Sequence, residues 1–189
     1  EKDFQALPEN MREAAREAVD TLLHSGDGQL CDVIIDRAAL VAVLEAGNRS
    51  KAAIIRDYAE STVAVANIKI AVRCCKTGKS LEFMKRAMAP CKTLNVERLA
   101  HAALAGMDSV MEYLNGAGYA EAADAIKESP SAFERWCDNR IIRRFHPGKG
   151  KGDVCIRSQL WAHTTASMDS LRWAWTFIPY PTSRKEKRS

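Results

Sequence analysis

Apolar residues recur at three- and four-residue spacing along most of the chain, and nearly every such stripe is bounded by residues that start or stop helices. The opening "LPENMREAAREAVDTLLHSGDG" offers Pro8 as a first-turn residue, a stripe through Ala14, Val19, Leu22 and Leu23, and "SGDG" as a stop. "QLCDVIIDRAALVAVLEAGN" repeats the plan, with Leu30, Val33, Ile34, Ala38, Val41 and Leu44 facing inward and Gly47-Asn48 as its end. Two antiparallel helices joined by a short turn are the economical result. Residues 49–77 contain neither Gly nor Pro. At 1.5 Å per residue they make a helix of about 40 Å, although β-branched residues between Val63 and Val72 briefly imitate a strand. Ile54, Tyr58, Val65, Ile68 and Val72 form its stripe, and Asn67, Lys69 and Arg73 are polar insertions that need partners wherever they are buried.

Beyond Gly78, "SLEFMKRAMAPCKTLNVERL" predicts a short helix with Leu81, Phe83, Met84 and Met88 inside, broken at Pro90 by its missing donor. Asn95 to Asn115 reads as one amphipathic helix through Leu99, Ala103, Leu104, Met107, Val110, Met111 and Leu114, stopped by "NGAGY". A short helix from Tyr119 leads to Ser129-Pro130. "SPSAFERWCDNRIIRRF" then opens with a capping box, Ser131 and Glu134, and places Phe133, Trp136, Cys137, Ile141 and Phe145 inside. Every element is helical, so the fold class is all-α, built of helical bundles.

Within that frame "TGKS" raises a question, because Gly78-Lys79-Ser80 are the last letters of a phosphate loop. Such a loop needs a glycine five positions earlier and a strand leading in. Arg73 stands at that position, and what precedes the motif is helical in pattern. The other reading is a helix stop and restart: Gly78 in the left-handed conformation, Lys76 near the negative end of the dipole, Ser80 capping the next helix. A small helical enzyme binding nucleotide through Gly78-Lys79-Ser80 remains the competing class.

The composition, 47% hydrophobic and 28% charged, is that of a soluble globular protein. No apolar run approaches the roughly 18–20 residues of a membrane span. The net charge of +4 is concentrated after His146, where eight Lys/Arg meet three Asp/Glu, leaving the body nearly neutral. A basic nucleic-acid-binding module is therefore a second competitor, weakened by the lack of a basic stripe on the body. Cys31, Cys74, Cys75, Cys91, Cys137 and Cys155 show no Cys-x-x-Cys spacing, and His24, His101, His146 and His163 make no helical i, i+4 pair. No metal, cofactor or catalytic set is read from them, and no Cys/His signature supports a nucleophile. Asp138-Asn139-Arg140 reads as a structural hydrogen-bond cluster, with no second acid or histidine spaced for acid/base work.

The order of the motifs is more informative than any one of them. "LPENMREAAREA" and "GDGQLCDVIIDRAALVAVLEAG", a long helix ending "VANIKIAVRCCKTGKS", then "LEFMKRAMAPCKTLNVERL", "LAGMDSVMEYLNGAGY" and "SAFERWCDNRIIRR" together resemble one family of rotary ATPase components. It is the V-type/A-type ATPase family whose members are designated d in eukaryotic enzymes and C in archaeal and bacterial ones. The most specific pieces are Asn67, Ile68, Lys69, Arg73, Gly78, Lys79 and Ser80, with Phe133, Glu134, Cys137, Asp138 and Asn139. The resemblance implies an all-α, funnel-shaped body of three helical domains, peripheral on the cytoplasmic face of the membrane. It implies a role without an active site, coupling the proteolipid ring to the central stalk, with no nucleic acid and no small-molecule substrate. Asn67, Lys69, Arg73, Gly78, Lys79, Glu134, Asp138 and Asn139 are then candidates for structural or interaction roles.

Departures from the family pattern shape the expected organisation. Members are longer, and a chain opening at Glu1 is expected to be a fragment. A helical domain over residues 1–128 holds the long helix 49–77, a further one begins over 129–178, and 179–189 is a disordered basic tail. Where the family continues with Gly-Pro-Glu-Pro, this chain has "HPGKGKGDVC" and a Trp-rich segment. A domain boundary, a lost element or a reading-frame change near Phe145 would each produce that shift.

Overall fold

The computed structural model describes residues 4–143. The predicted helix within 156–178, the inward Phe145, Cys155 and the basic tail lie outside the described residues. A 3-10 turn at Phe4–Ala6 leads into helices α1 (Glu9–Ser25), α2 (Gly28–Arg49), α3 (Ala53–Thr77), α4 (Leu81–Ala87), α5 (Val96–Ala105), α6 (Met107–Gly116), α7 (Ala120–Glu128) and α8 (Pro130–Arg143). The described residues contain no strand.

Each boundary has a local cause. Gly26 takes φ 66° and donates its N–H to the Leu22 carbonyl, closing α1, and Asp27 at once caps α2 by accepting from the Leu30 N–H at 3.1 Å. Pro8 sits just outside α1, at its N-cap, rather than inside the first turn. The α2–α3 corner is fixed by Arg56, whose Nη1 donates to the carbonyls of Ser50 and Lys51 at 2.7 and 2.9 Å. These contacts delay the long helix, which begins at Ala53 rather than Arg49. Its 25 residues give about 37 Å.

α3 is the axis of the bundle, with α2, α4, α5, α6 and α8 all packed against it. Val63, Ala64, Val65, Ile68, Ala71, Val72 and Cys74 are buried around its circumference, and residues 61–75 include no fully exposed position. That explains why its pattern briefly looked like a strand: a helix covered on all sides reads as a continuous apolar run. Leu40 of α2, Val63 and Ala89 meet in one core cluster, joined by Val41, Leu44, Ala66 and Cys91. Met84 and Met88 are buried as expected, whereas Leu22 and Leu23, placed in the α1 stripe, are 43% and 71% exposed. Among the described residues α1 packs chiefly on α2 and the 3-10 turn, so part of its stripe is left exposed there.

Two glycines act opposite to expectation. Gly47, read as a stop, lies inside α2, buried against α3; a side chain there would collide with the Ala59 Cβ. Gly106, inside the segment read as one helix, takes φ 132° and ψ 173°, ending α5 and starting α6. The break turns α6 relative to α5 and leaves Leu104 57% exposed.

Gly47→Ala is therefore expected to destabilise by about 1–3 kcal/mol through overpacking, despite alanine's better helix propensity; urea unfolding checks this, and a stabilised variant would contradict it. Asp36, partly buried on α2, has its carboxyl pushed up to about 6 from 3.8, first by burial and then by the Asp32 charge. A raised carboxyl favours the fold only when protonated, so its contribution is present below about pH 4 and is lost as pH rises toward 6. Asp36→Asn is expected to gain about 1 kcal/mol at pH 7, solvent screening having reduced the full linkage value. The gap from the parent should close toward pH 4 in urea titrations.

Candidate functional site

Among the described residues, the chain between α4 and α5 carries the densest polar contacts. Met88, Ala89 and Leu94 are buried there outside any helix; the Met88 N–H still closes α4 on the Met84 carbonyl at 2.9 Å, but the backbone groups that follow must be satisfied by other elements. α3 supplies most of the partners. Asn67, fully buried, donates from Nδ2 to the Ala89 carbonyl at 2.7 Å and accepts the Ala89 N–H on Oδ1 at 3.0 Å. Glu60, two turns earlier, accepts the Lys92 and Thr93 N–H groups on Oε1 at 2.6 and 2.7 Å. From α2, Arg37 Nε donates to the Met88 carbonyl at 2.9 Å. On the far side the Tyr113 hydroxyl accepts the Asn95 N–H and donates to its carbonyl, and the Tyr119 hydroxyl meets Thr93 Oγ1 at 3.0 Å.

Lys69 and Arg73 lie one turn apart on α3, facing α8. Lys69 Nζ is 2.8 Å from Glu134 Oε2 and Arg73 Nη2 is 3.8 Å from Oε1, so one carboxylate ties two cations of α3 to α8. Glu134 is thus not half of a capping box. Ser129 caps α8, its Oγ accepting the Ala132 N–H at 3.0 Å, because Pro130 has already taken the first helical position. With Glu134 48% exposed, this bridge orients the helices more than it stabilises them.

Gly78-Lys79-Ser80 form a helix–turn–helix corner. Gly78 takes φ 63° and ψ 35°, the Lys79 N–H donates to the Cys74 carbonyl at 3.0 Å, and Ser80 Oγ accepts the Phe83 N–H at 3.2 Å. A helix leads in where a phosphate loop needs a strand. Lys79 reaches away from any nest of N–H groups: its Nζ donates to Gln29 Oε1 of α2 and lies 5.0 Å from the Phe83 ring centroid.

The side chains of Asp138 and Asn139 are exposed and make no hydrogen bond or ion pair among the described residues, instead of the expected cluster with Arg140. Arg140 turns inward, its guanidinium 5.2 Å from the centroid of Tyr119. Burial pushes the Cys74 thiol up to about 11 and that of Cys137 to about 12, which keeps both protonated and unreactive. Structure thus brings Lys69, Arg73 and Glu134 together, places Asn67 against a loop, and scatters the rest. Glu60, Arg37, Tyr113 and Tyr119 were missed, since their partners are loop backbone distant in the chain; Pro90 beside a run of buried residues was the available signal.

A family model described as "ATP synthase (C/AC39) subunit" matches residues 1–150. No curated protein and no solved structure matches the chain. No helix among the described residues is long and apolar enough to cross a membrane.

Truncating Asn67 to Ala would strand both polar groups of the Ala89 peptide in the core, at about 1–3 kcal/mol each. Asn67→Ala is expected to lose about 2–4 kcal/mol in guanidinium unfolding, against less than about 1 kcal/mol for Glu134→Ala. Equal losses would contradict the ranking.

Proposed function

The chain belongs to the C/AC39 family of V/A-type ATP synthase components, and on that premise we propose that it is a non-catalytic adaptor coupling the membrane proteolipid ring to the central stalk during rotary ion transport or ATP synthesis. The family match over residues 1–150 carries this reading. On it, the chain is peripheral, on the cytoplasmic side of the membrane, and its described helices are part of a larger funnel of helical domains.

The mechanics support the role. An element that passes torque between two bodies must resist bending and shear, and close-packed helices around one buried axis do so because their side chains have no free volume into which to move. α3 is such an axis, joined to α2 at Gly47–Ala59, to α8 by Lys69–Glu134, and to the α4–α5 loop by Asn67 and Glu60. Gly78, Lys79 and Ser80 serve this rigidity as a fixed corner.

Purification from mild-detergent membranes of the source organism, followed by mass spectrometry, tests the proposal. Recovery of proteolipid-ring and central-stalk proteins is expected. An intact, membrane-extracted protein unaccompanied by either would contradict it.

A further inference from the structure

Polar atoms left unpartnered in a protein interior are costly, and where they share an opening to solvent they point to something that completes them. Among the described residues, Glu60 Oε2 and Arg140 Nε are both buried and without a hydrogen-bond partner. Both residues line the same cleft, about 270 Å³, between the first half of α3, Thr93, the turn Ala117–Tyr119 and α8. Trp136 Nε1 on α8 is another unpartnered buried donor, its ring edge-on to the cleft residue Tyr119 with centroids 6.3 Å apart.

The charges of the cleft do not pair among themselves. Asp57, exposed at its wall, and Glu60 and Arg140 take part in none of the ion pairs among the described residues. Glu60 is fixed in position by the two N–H groups of Lys92 and Thr93 on Oε1, which leaves Oε2 as the atom in need of a donor. Arg140 is fixed by Tyr119, with Nε in need of an acceptor. Two carboxylates against one guanidinium leave the cleft formally at −1. Its volume falls below the roughly 300–1,000 Å³ of small-molecule pockets, so it suits a single side chain better than a cofactor.

We propose that this cleft receives a basic side chain, best an arginine, from a partner protein. The incoming guanidinium meets Asp57 and Glu60 Oε2, a fork well matched to two carboxylates, and the adjoining main-chain carbonyl of the partner accepts from Arg140. The inference takes from the adaptor reading only that the partner is a protein. A docked basic residue here would grip α3, the α4–α5 loop, the α6–α7 turn and α8 at once, so that a load on it is shared by four elements.

The test is a titration of the isotope-labelled full chain with a blocked tripeptide carrying arginine at its centre, followed by amide and indole NMR shifts, with the neutral citrulline tripeptide as control. Saturable shifts at Thr93, Gly118 and the Trp136 indole are expected, weakened by salt, weakened about threefold in Asp57→Asn, and absent with citrulline. Asp57 is exposed and makes no hydrogen bond or ion pair among the described residues, so that variant should fold as the parent does. Equal binding of the citrulline peptide, or no shifts at these three positions, would overturn the proposal. Binding that appears only after residues 146–189 are removed would make this chain's own basic end the occupant, and would overturn the assignment to a partner. Peptide binding and co-purification with the rotor are read separately, so failure of one is distinguishable from failure of the other.

Discussion

The peptide group of Ala89 is fully buried in a segment with no helix or strand to satisfy it. In water the Ala89 N–H and carbonyl would each have partners; inside the bundle they have one residue, Asn67, whose side-chain amide presents a donor and an acceptor side by side. The rest of the architecture depends on that exchange. It lets the chain leave α4, pass through the interior and begin α5 without stranding polar groups, and so lets Ala89 join Leu40 and Val63 in the core. A hydrophobic residue at 67 would pack well enough and leave the loop with nowhere to go. Polar specificity here serves the topology more than the total stability.

From that anchor the coupling spreads along α3. Glu60 holds the loop's second half two turns earlier, and Lys69 and Arg73 reach α8 through Glu134 on a neighbouring face. One helix therefore fixes the positions of a loop and a distant helix by side chains within four turns of each other. On the proposed adaptor role the arrangement would matter because the ring and the stalk would load different parts of one body, and a single buried axis leaves few places for that body to shear. The same set of contacts shapes the polar cleft at Asp57, Glu60 and Arg140, so the proposed docking cleft is backed by the central helix of the bundle.

Much of this was legible in the sequence because periodicity reports burial, and burial is what most of these helices are made of. The helix order, the corner at Gly78 and the polar insertions Asn67, Lys69 and Arg73 all follow from local pattern. Glycine was where local pattern failed. Gly47 and Gly106 both permit a helix break, but the sequence does not state whether a glycine is used for its backbone freedom, as at Gly106, or for its lack of a side chain, as where Gly47 meets Ala59. Glu134 misled for a related reason: Ser131 and Glu134 have capping-box spacing, yet Ser129 and Pro130 had already started the helix, freeing the carboxylate for Lys69. Leu22 and Leu23 continue a stripe whose far neighbour is absent from the described bundle. The cleft was illegible altogether, since it is assembled from four elements and its defining feature is a set of polar atoms without partners.

Native-state hydrogen exchange at the amides of Ala89, Lys92 and Thr93 tests the central claim most directly. These three N–H groups lie outside any helix and are held only by Asn67 and Glu60. If α3 clamps the loop as part of one rigid body, they exchange only by the opening that also exposes the buried amides of α3, with matching protection. Exchange at the rate of an open loop, with α3 still protected, would mean that the loop moves independently and that the bundle is not the single stiff element described.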